Sequence, residues 1–299
     1  MRSFFKRLLG KKTKPFPAQI NVDTVPLSGE QMGERSMPTP PMTPQQFITG
    51  CGQSNGKQRD HNEDSLYTFS VTMGGETASA PLGLFIIADG MGGHQFGEVA
   101  SATAVRTMSN FLLRRLHSYM IDPSSGMDEP LQEMMRDAIT EAQRVVIQTA
   151  PGSGTTLTAA LVLGQQMTIA HVGDSRAYSL HVDGRVDVLT RDHSLVKRLE
   201  ELGQISPAEA IGHPQRNVLY RAIGQGEVLE PDIFTLPFPQ PGMLLLCSDG
   251  LWSVLPEDML SDIVKRSPDL VGACQSLVNA ANDAGGPDNI SAILVQLIG

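Results

Sequence analysis

The sequence predicts an α+β domain: a four-layer α-β-β-α sandwich, with two mostly antiparallel sheets flanked by paired helices. Three observations lead there. Helical patterns arrive in pairs, strand patterns arrive as hairpins, and strands such as LFIIA and LLLCS are apolar on both faces. Hairpins argue against a parallel βαβ repeat. Strands apolar on both faces need cover on both, which two sheets between helix layers provide.

Residues 1–46 read differently from the rest. MRSFFKRLLGKKTK carries Arg2, Lys6, Arg7, Lys11, Lys12 and Lys14 and no acid. It lacks the apolar core and cleavage site of a secretory signal. It reads as a basic tail, with a short lipid-touching anchor through Phe4, Phe5, Leu8 and Leu9 as the alternative. Residues 15–46 are rich in Pro, Ser, Thr, Gln and Met, show no periodicity, and read as a disordered linker. A folded domain is expected over 47–299.

Inside it, PLGLFIIAD is a buried strand. The segment after DGMGGH is a helix with Val105, Met108, Leu112, Leu116 and Tyr119 on one stripe. A second follows the DPSSG break, with Leu131, Met135, Ala138, Ala142 and Val145 on one face. TTLTAALVLGQQMTIAHVGDSRAYSLHVDGRVDVLT is a strand meander turning at Gly164-Gln165 and Asp183-Gly184. SLVKRLEELGQ is a short helix, and SPAEA starts another with Ser206 as N-cap and Pro207 at its first position. Strands return from Val228 to Cys247, a helix runs from Asp269 to Ala284, and NISAILVQLIG closes with a strand.

Bulk properties narrow the function. The 299 residues are 40% hydrophobic and 18% charged, enough for a sizeable core. A net charge of −9 argues against a broad basic face for nucleic acid. Three widely spaced cysteines, Cys51, Cys247 and Cys274, suggest neither a disulfide framework nor a zinc cluster, so a cytoplasmic, reducing setting is expected. No apolar run is long enough to span a bilayer.

The chemistry rests on four aspartates: Asp64 in RDHNED, Asp89 in FIIADGMGGH, Asp249 in LLLCSDGLW and Asp288 in GGPDNIS. The last three read as lying at the edges of apolar strands, beside glycines. Carboxylates so placed suit a hard divalent cation. Gly90 is expected to turn the backbone sharply and to free its carbonyl as a further oxygen ligand. One Asp-Gly is most often only a turn. Two after strongly apolar strands, with RDHNED and PDN, point together to a metal centre. Water held between two cations can attack phosphorus.

At these residues the chain resembles the metal-dependent protein phosphatases of the PP2C, or PPM, type. RDHNEDS, DGMGGH, SGTT, HVGDSRAY, TRDHSL, HPQRNVLYRAIG, CSDGLW and PDNIS occur in the family's order across residues 50–299. DGMGGH and HPQRNVLYRAIG look like its bacterial branch. The resemblance implies a Ser/Thr protein phosphatase that hydrolyses phosphoserine and phosphothreonine with a binuclear-metal-activated water, using Mn²⁺ or Mg²⁺ as two ions and a third, weaker one. By matching position, Asp89 bridges both metals and Gly90 gives its carbonyl to one. Asp249 and Asp288 hold the other, Asp64 acts through metal-bound water with Glu63 in support, and Asp174 helps bind the third metal with Asp249. Arg59 matches the family's phosphate-binding arginine, and a planar guanidinium fork suits that task; otherwise it is a surface ion pair with a neighbouring acid. Animal members place a histidine directly after the first Asp-Gly; here Met91 stands there, and His94 is read as structural. His171 and His193 read as hydrogen-bonded packing residues, and SGTT as a turn entering a strand.

Other phosphate chemistries fit poorly. GCGQSNGKQ lacks the glycine and the hydroxyl residue of a nucleotide loop. None of the cysteines is followed by arginine six residues on, so a thiol nucleophile is not expected. In relatives the stretch Arg191–Ala222 includes a flap beside the metals, where Glu200, Glu201 and Gln204 are placed to select substrates. The partners implied are phosphorylated products of a Ser/Thr kinase, with no nucleic acid and no membrane contact beyond residues 1–14. A monomer is expected.

Overall fold

The computed structural model describes residues 44–72, 80–92, 96–122, 126–127, 129–226 and 229–299, without the Ile211 side chain. Contacts divide the chain into Met1–Met42 and Thr43–Gly299. The first unit lies outside the described residues, as do His94 and Val228. The second contains, in order, β1 (Gln46–Ser54), β2 (Asp64–Val71), β3 (Leu82–Met91), α1 (Gly97–Ile121), α2 (Leu131–Thr149), β4 (Gly154–Thr155), β5 (Leu157–Leu163), β6 (Gln166–Val172) and β7 (Arg176–His181). There follow β8 (Val186–Val188), α3 (Leu195–Glu201), α4 (Pro207–Ile211), β9 (Asp232–Pro237), β10 (Gly242–Cys247), α5 (Asp249–Trp252), α6 (Glu257–Arg266), α7 (Leu270–Asp283) and β11 (Ile290–Ile298).

Two sheets form, one in the order β1-β11-β10-β7-β8 and the other β2-β3-β5-β6-β9, with β4 added to β3. The named pairings between these strands are antiparallel. Alternation along the central strands sorts the apolar side chains into three cores. On β3, Leu84 and Ile86 join α1 and α2, whereas Phe85 and Ile87 point to the other sheet. On β11, Ala292 and Leu294 pack against α6 and α7, whereas Ile293 and Val295 enter the same inter-sheet core. The result is the four-layer α-β-β-α sandwich, and it explains why these strands are apolar on both faces.

The helices keep their sequence signatures. Ser206 caps α4 in a reciprocal capping box with Glu209, and Asp269 caps α7. In α2 it is Val146, next to the expected Val145, that is buried. One reading needs correction. Gly90 is not a turn: β3 continues through it to Met91. Its missing side chain serves close approach, since a Cβ there would lie 2.2 Å from the Gly97 carbonyl oxygen. Asp249 lies just past the end of β10, as expected, where it begins α5, and a Cβ on Gly250 would meet the Asn289 carbonyl at 2.1 Å.

Candidate active site

Antiparallel pairing sets Asp64 of β2 directly across from Asp89 of β3. The other sheet supplies Asp249, at the start of α5 after β10, and Asp288, just before β11. Asp174 sits in the link from β6 to β7, where the chain passes from one sheet to the other. The five acids converge at one end of the sandwich.

Their electrostatics record the convergence. Burial pushes the Asp64 carboxyl up to about 7, the Ser291 and Ser248 hydroxyls pull it back, and the charges of Asp249 and Asp288 raise it further. Burial also raises Asp249 to about 6, with Asp288 adding to it while a hydrogen bond to Asp89 and the Arg59 charge oppose it. Asp89 is held well above the carboxylate range by burial first, then by Asp64, Asp249, Asp174 and Asp288. Asp174 is raised by burial, then by Asp249 and Asp192. Like charges gathered out of water need either protons or a cation.

The donor set fits a cation. Buried polar atoms are normally hydrogen-bonded, yet Asp64 Oδ1 and Asp249 Oδ1 are buried without a partner. Among the described residues no group of three or more His, Cys, Asp or Glu side chains stands arranged to hold a metal ion by itself. The acids come together with two carboxylate oxygens left over, not as a finished coordination shell. That suits hard cations that keep several waters alongside a few carboxylates.

A second layer of side chains fixes the acids. The Ser248 and Ser291 hydroxyls each donate to Asp64 Oδ2 at 2.7 Å. The Asp89 amide donates to Thr156 Oγ1 at 2.9 Å, and the hydroxyl of Thr155 donates to the Asp89 carbonyl at 2.8 Å. Asn289 accepts from the Glu63 amide at 2.8 Å and donates to the carbonyls of Asn55 and His61 at 3.0 and 2.9 Å. It thereby pins the loop that carries Arg59 and Asp64 beside Asp288. Trp252 Nε1 donates to the Asp174 carbonyl, and Arg176 stacks on the Trp252 ring while its fork grips Asp192. Ser248, Ser291 and Asn289 lie inside the strings CSDGLW and PDNIS, but only strand register shows which acid each supports.

Arg59, half-exposed on the rim, donates to Asp288 Oδ2 at 2.7 Å. That bond raises its pKa, against the effect of burial and with the charges of Asp288, Glu63 and Asp249. The ion pair with a neighbouring acid is therefore present, and that acid is Asp288, one of the candidate ligands. The histidines pack as expected. His171 is pushed down to about 4 by burial and by His193, so its neutral ring donates from Nε2 to the Arg191 carbonyl. His193 accepts from the Gly173 amide at Nδ1. The cysteines offer no thiolate: all three are free, and burial raises each, Cys274 to about 12.

Comparison with known proteins follows the same residues. The family model described as protein phosphatase 2C matches residues 51–295. The chain is 38% identical over 247 residues to a serine/threonine phosphatase stp of Listeria welshimeri, covering 81% of this chain and 92% of that one. It superposes on the Mycobacterium tuberculosis serine/threonine phosphatase PstP/Ppp with a TM-score of 0.68 at 31% identity, covering 85% of this chain and 100% of the other. The PstP catalytic domain in complex with two manganese ions aligns with a TM-score of 0.65 at 29% identity, covering 85% and 100%. With the fold, the acidic cleft and the matched length in agreement, this chain belongs to the protein phosphatase 2C family.

Proposed function

We propose that this divalent-metal-dependent Ser/Thr protein phosphatase works with two ions, Mn²⁺ or Mg²⁺, and a third, weaker one. Asp64, Asp89, the Gly90 carbonyl, Asp249 and Asp288 would hold the pair, and Asp174 with Asp249 the third. When bound, such cations supply a nucleophile from water at neutral pH and offset negative charge on the phosphoryl oxygens.

The rest is the work of this chain. Arg59 clamps the phosphoryl oxygens; one N–H is committed to Asp288, and a guanidinium has five. Ser248 and Ser291 hold one oxygen of Asp64 and leave Oδ1 facing no protein donor. Thr155 and Thr156 hold the Asp89 backbone from both sides. Raised thiol pKa values argue against a cysteine nucleophile, and water is the acceptor in this reading.

The observation that carries this reading is the pair of buried, unpartnered carboxylate oxygens among mutually repelling acids. The test is phosphate release from p-nitrophenyl phosphate and from a phosphothreonine peptide, first with Mn²⁺ and then with EDTA. Activity with metal and none after chelation is expected; turnover that survives full chelation would refute it.

The same reading takes products of a Ser/Thr kinase of the same cell as substrates and the chain as an intracellular monomer. Among the described residues no helix is long and apolar enough to cross a membrane. The basic stretch 1–14 lies outside the described residues; vesicle sedimentation of the full chain against residues 47–299 separates tail from anchor.

A further inference from the structure

An open hollow of about 440 Å³ lies beside the cleft, between residues 191–198, residues 220–221 and the start of β9. Arg191, Arg198 and Arg221 line it, with His193, Tyr220 and Asp232. Three guanidinium groups and one carboxylate line the hollow itself, and Glu201 and Glu230 pair with the arginines from beside it. The arginines are tethered but not used up. Arg191 grips Glu201, Arg198 lies 3.8 Å from the same acid, and Arg221 reaches Asp232 at 3.1 Å and Glu230 at 3.7 Å. Each guanidinium has five N–H donors in a planar fork, so several remain for another anion. Tyr220, half-exposed, sets its ring beside Arg221.

The walls of this hollow are tied to the backbone of the cleft. His193 exchanges hydrogen bonds with Gly173, the residue before Asp174: its amide donates to the Gly173 carbonyl at 2.7 Å, and its Nδ1 accepts at 3.2 Å. Two residues past Arg221, Ile223 exchanges two backbone bonds of 2.9 Å with Thr155, and the Thr156 amide donates to the Asp89 carbonyl at 2.8 Å. The hollow and the acids are thus joined through a short run of hydrogen bonds.

We propose that the hollow receives a second anionic side chain, phosphorylated or acidic, of the phosphoprotein whose reacting phosphoserine or phosphothreonine occupies the acidic cleft. This deepens the function proposed above and rests on it. An otherwise acidic enzyme repels anionic substrates, and the N–H donors these ion-paired arginines leave unused offer an anion a place to bind at one point. The planar forks match phosphate and carboxylate oxygens alike.

The test uses the full chain with Mn²⁺, p-nitrophenyl phosphate, a singly phosphorylated threonine peptide, and peptides bearing a second phosphothreonine or a glutamate at successive spacings. The variant is Arg198→Glu, since Arg198 is exposed and only loosely tied; Arg191→Gln is the second. The wild type is expected to show a KM lower by about fivefold for the best-spaced doubly anionic peptide, the scale of a partly exposed ion pair. Arg198→Glu removes that preference and leaves p-nitrophenyl phosphate turnover unchanged. Equal KM for singly and doubly anionic peptides at every spacing overturns the proposal, and so does a preference that survives both variants. Free inorganic phosphate that alters p-nitrophenyl phosphate turnover non-competitively, through Arg198, would assign the hollow to a free anion and overturn it as well. Absence of Mn²⁺-dependent p-nitrophenyl phosphate hydrolysis is a separate outcome, and it strikes the phosphatase reading itself.

Discussion

Asp64 and Asp89 stand directly opposite each other in the β2–β3 register, both buried or nearly so. Directly opposed like charges destabilise a sheet. Burial first, then the charges of neighbouring acids (Asp249 and Asp288 on Asp64, Asp288 on Asp249), raises the pKa of Asp64 to about 7 and of Asp249 to about 6 on folding, from 3.8. A carboxyl whose pKa rises on folding gives stability that is present below its unfolded value and lost as pH climbs through the folded one. In EDTA, the melting temperature is expected to fall between pH 4 and pH 7 relative to an Asp64→Asn variant. A difference between the two proteins that stays flat over that window contradicts the assignment. Mn²⁺ should reverse the trend, since cations compete with protons for the same oxygens.

Asp249→Asn is expected to cut turnover by about 10³-fold, the scale for losing a group that stabilises developing charge. Its melting temperature in EDTA should hold or rise, because the change removes a buried charge beside Asp288. Calorimetric titration with Mn²⁺ should show weakened uptake. Uptake equal to wild type would exclude Asp249 as a ligand.

Arg59→Ala should act on binding. Hydrogen bonds to charged groups contribute about 1.5–3 kcal/mol, so KM for p-nitrophenyl phosphate should rise about tenfold or more. Its effect on stability should be small, as the side chain is half-exposed. Steady-state kinetics showing an unchanged KM would return Arg59 to a plain surface ion pair.

Gly90→Ala forces a Cβ to within 2.2 Å of the Gly97 carbonyl and 2.6 Å of the Glu63 carbonyl. Both are backbone atoms, so no rotamer relieves the clash. Overpacking of this kind costs about 1–3 kcal/mol or more. Urea denaturation of the metal-free protein should show that loss; an unshifted midpoint would mean that the contact is looser than described.

Asn289→Ala leaves the Glu63 amide and two carbonyls without their partner. At about 1–3 kcal/mol for an unsatisfied buried group, a clear loss in urea is expected, with a raised KM because the loop carrying Arg59 slackens. Stability and KM both at wild-type values would show that the loop holds itself.

Much of this was legible in the sequence, for physical reasons. PLGLFIIAD and NISAILVQLIG carry two apolar faces because each is sandwiched, and periodicity reports that directly. β1 escaped notice because Gly50 and Gly52 interrupt its pattern. Gly50 is there for packing, since a Cβ would lie 2.1 Å from the Leu270 carbonyl of α7. α6 was also missed, although Glu257 and Asp258 open it and Lys265 and Arg266 close it, as the helix dipole favours. The acids were visible from their motifs, but their supports were not. Ser248 and Ser291 lie 184 and 227 residues from Asp64, and only β10–β11 pairing beside β2 brings them together. An Asp-Gly pair most commonly marks a bend; at Gly90 and Gly250 the glycine instead makes room for neighbouring backbone.

The cleft draws Asp64 and Asp89 from one half of the sandwich and Asp249 and Asp288 from the other. Neither half owns a complete set, and the serines that hold Asp64 belong to the opposite half. On the metal assignment proposed above, a partly assembled chain is not a weak enzyme but an inert one. Recovery of catalysis during refolding should lag behind the appearance of either sheet alone, and marks the moment at which the two halves dock.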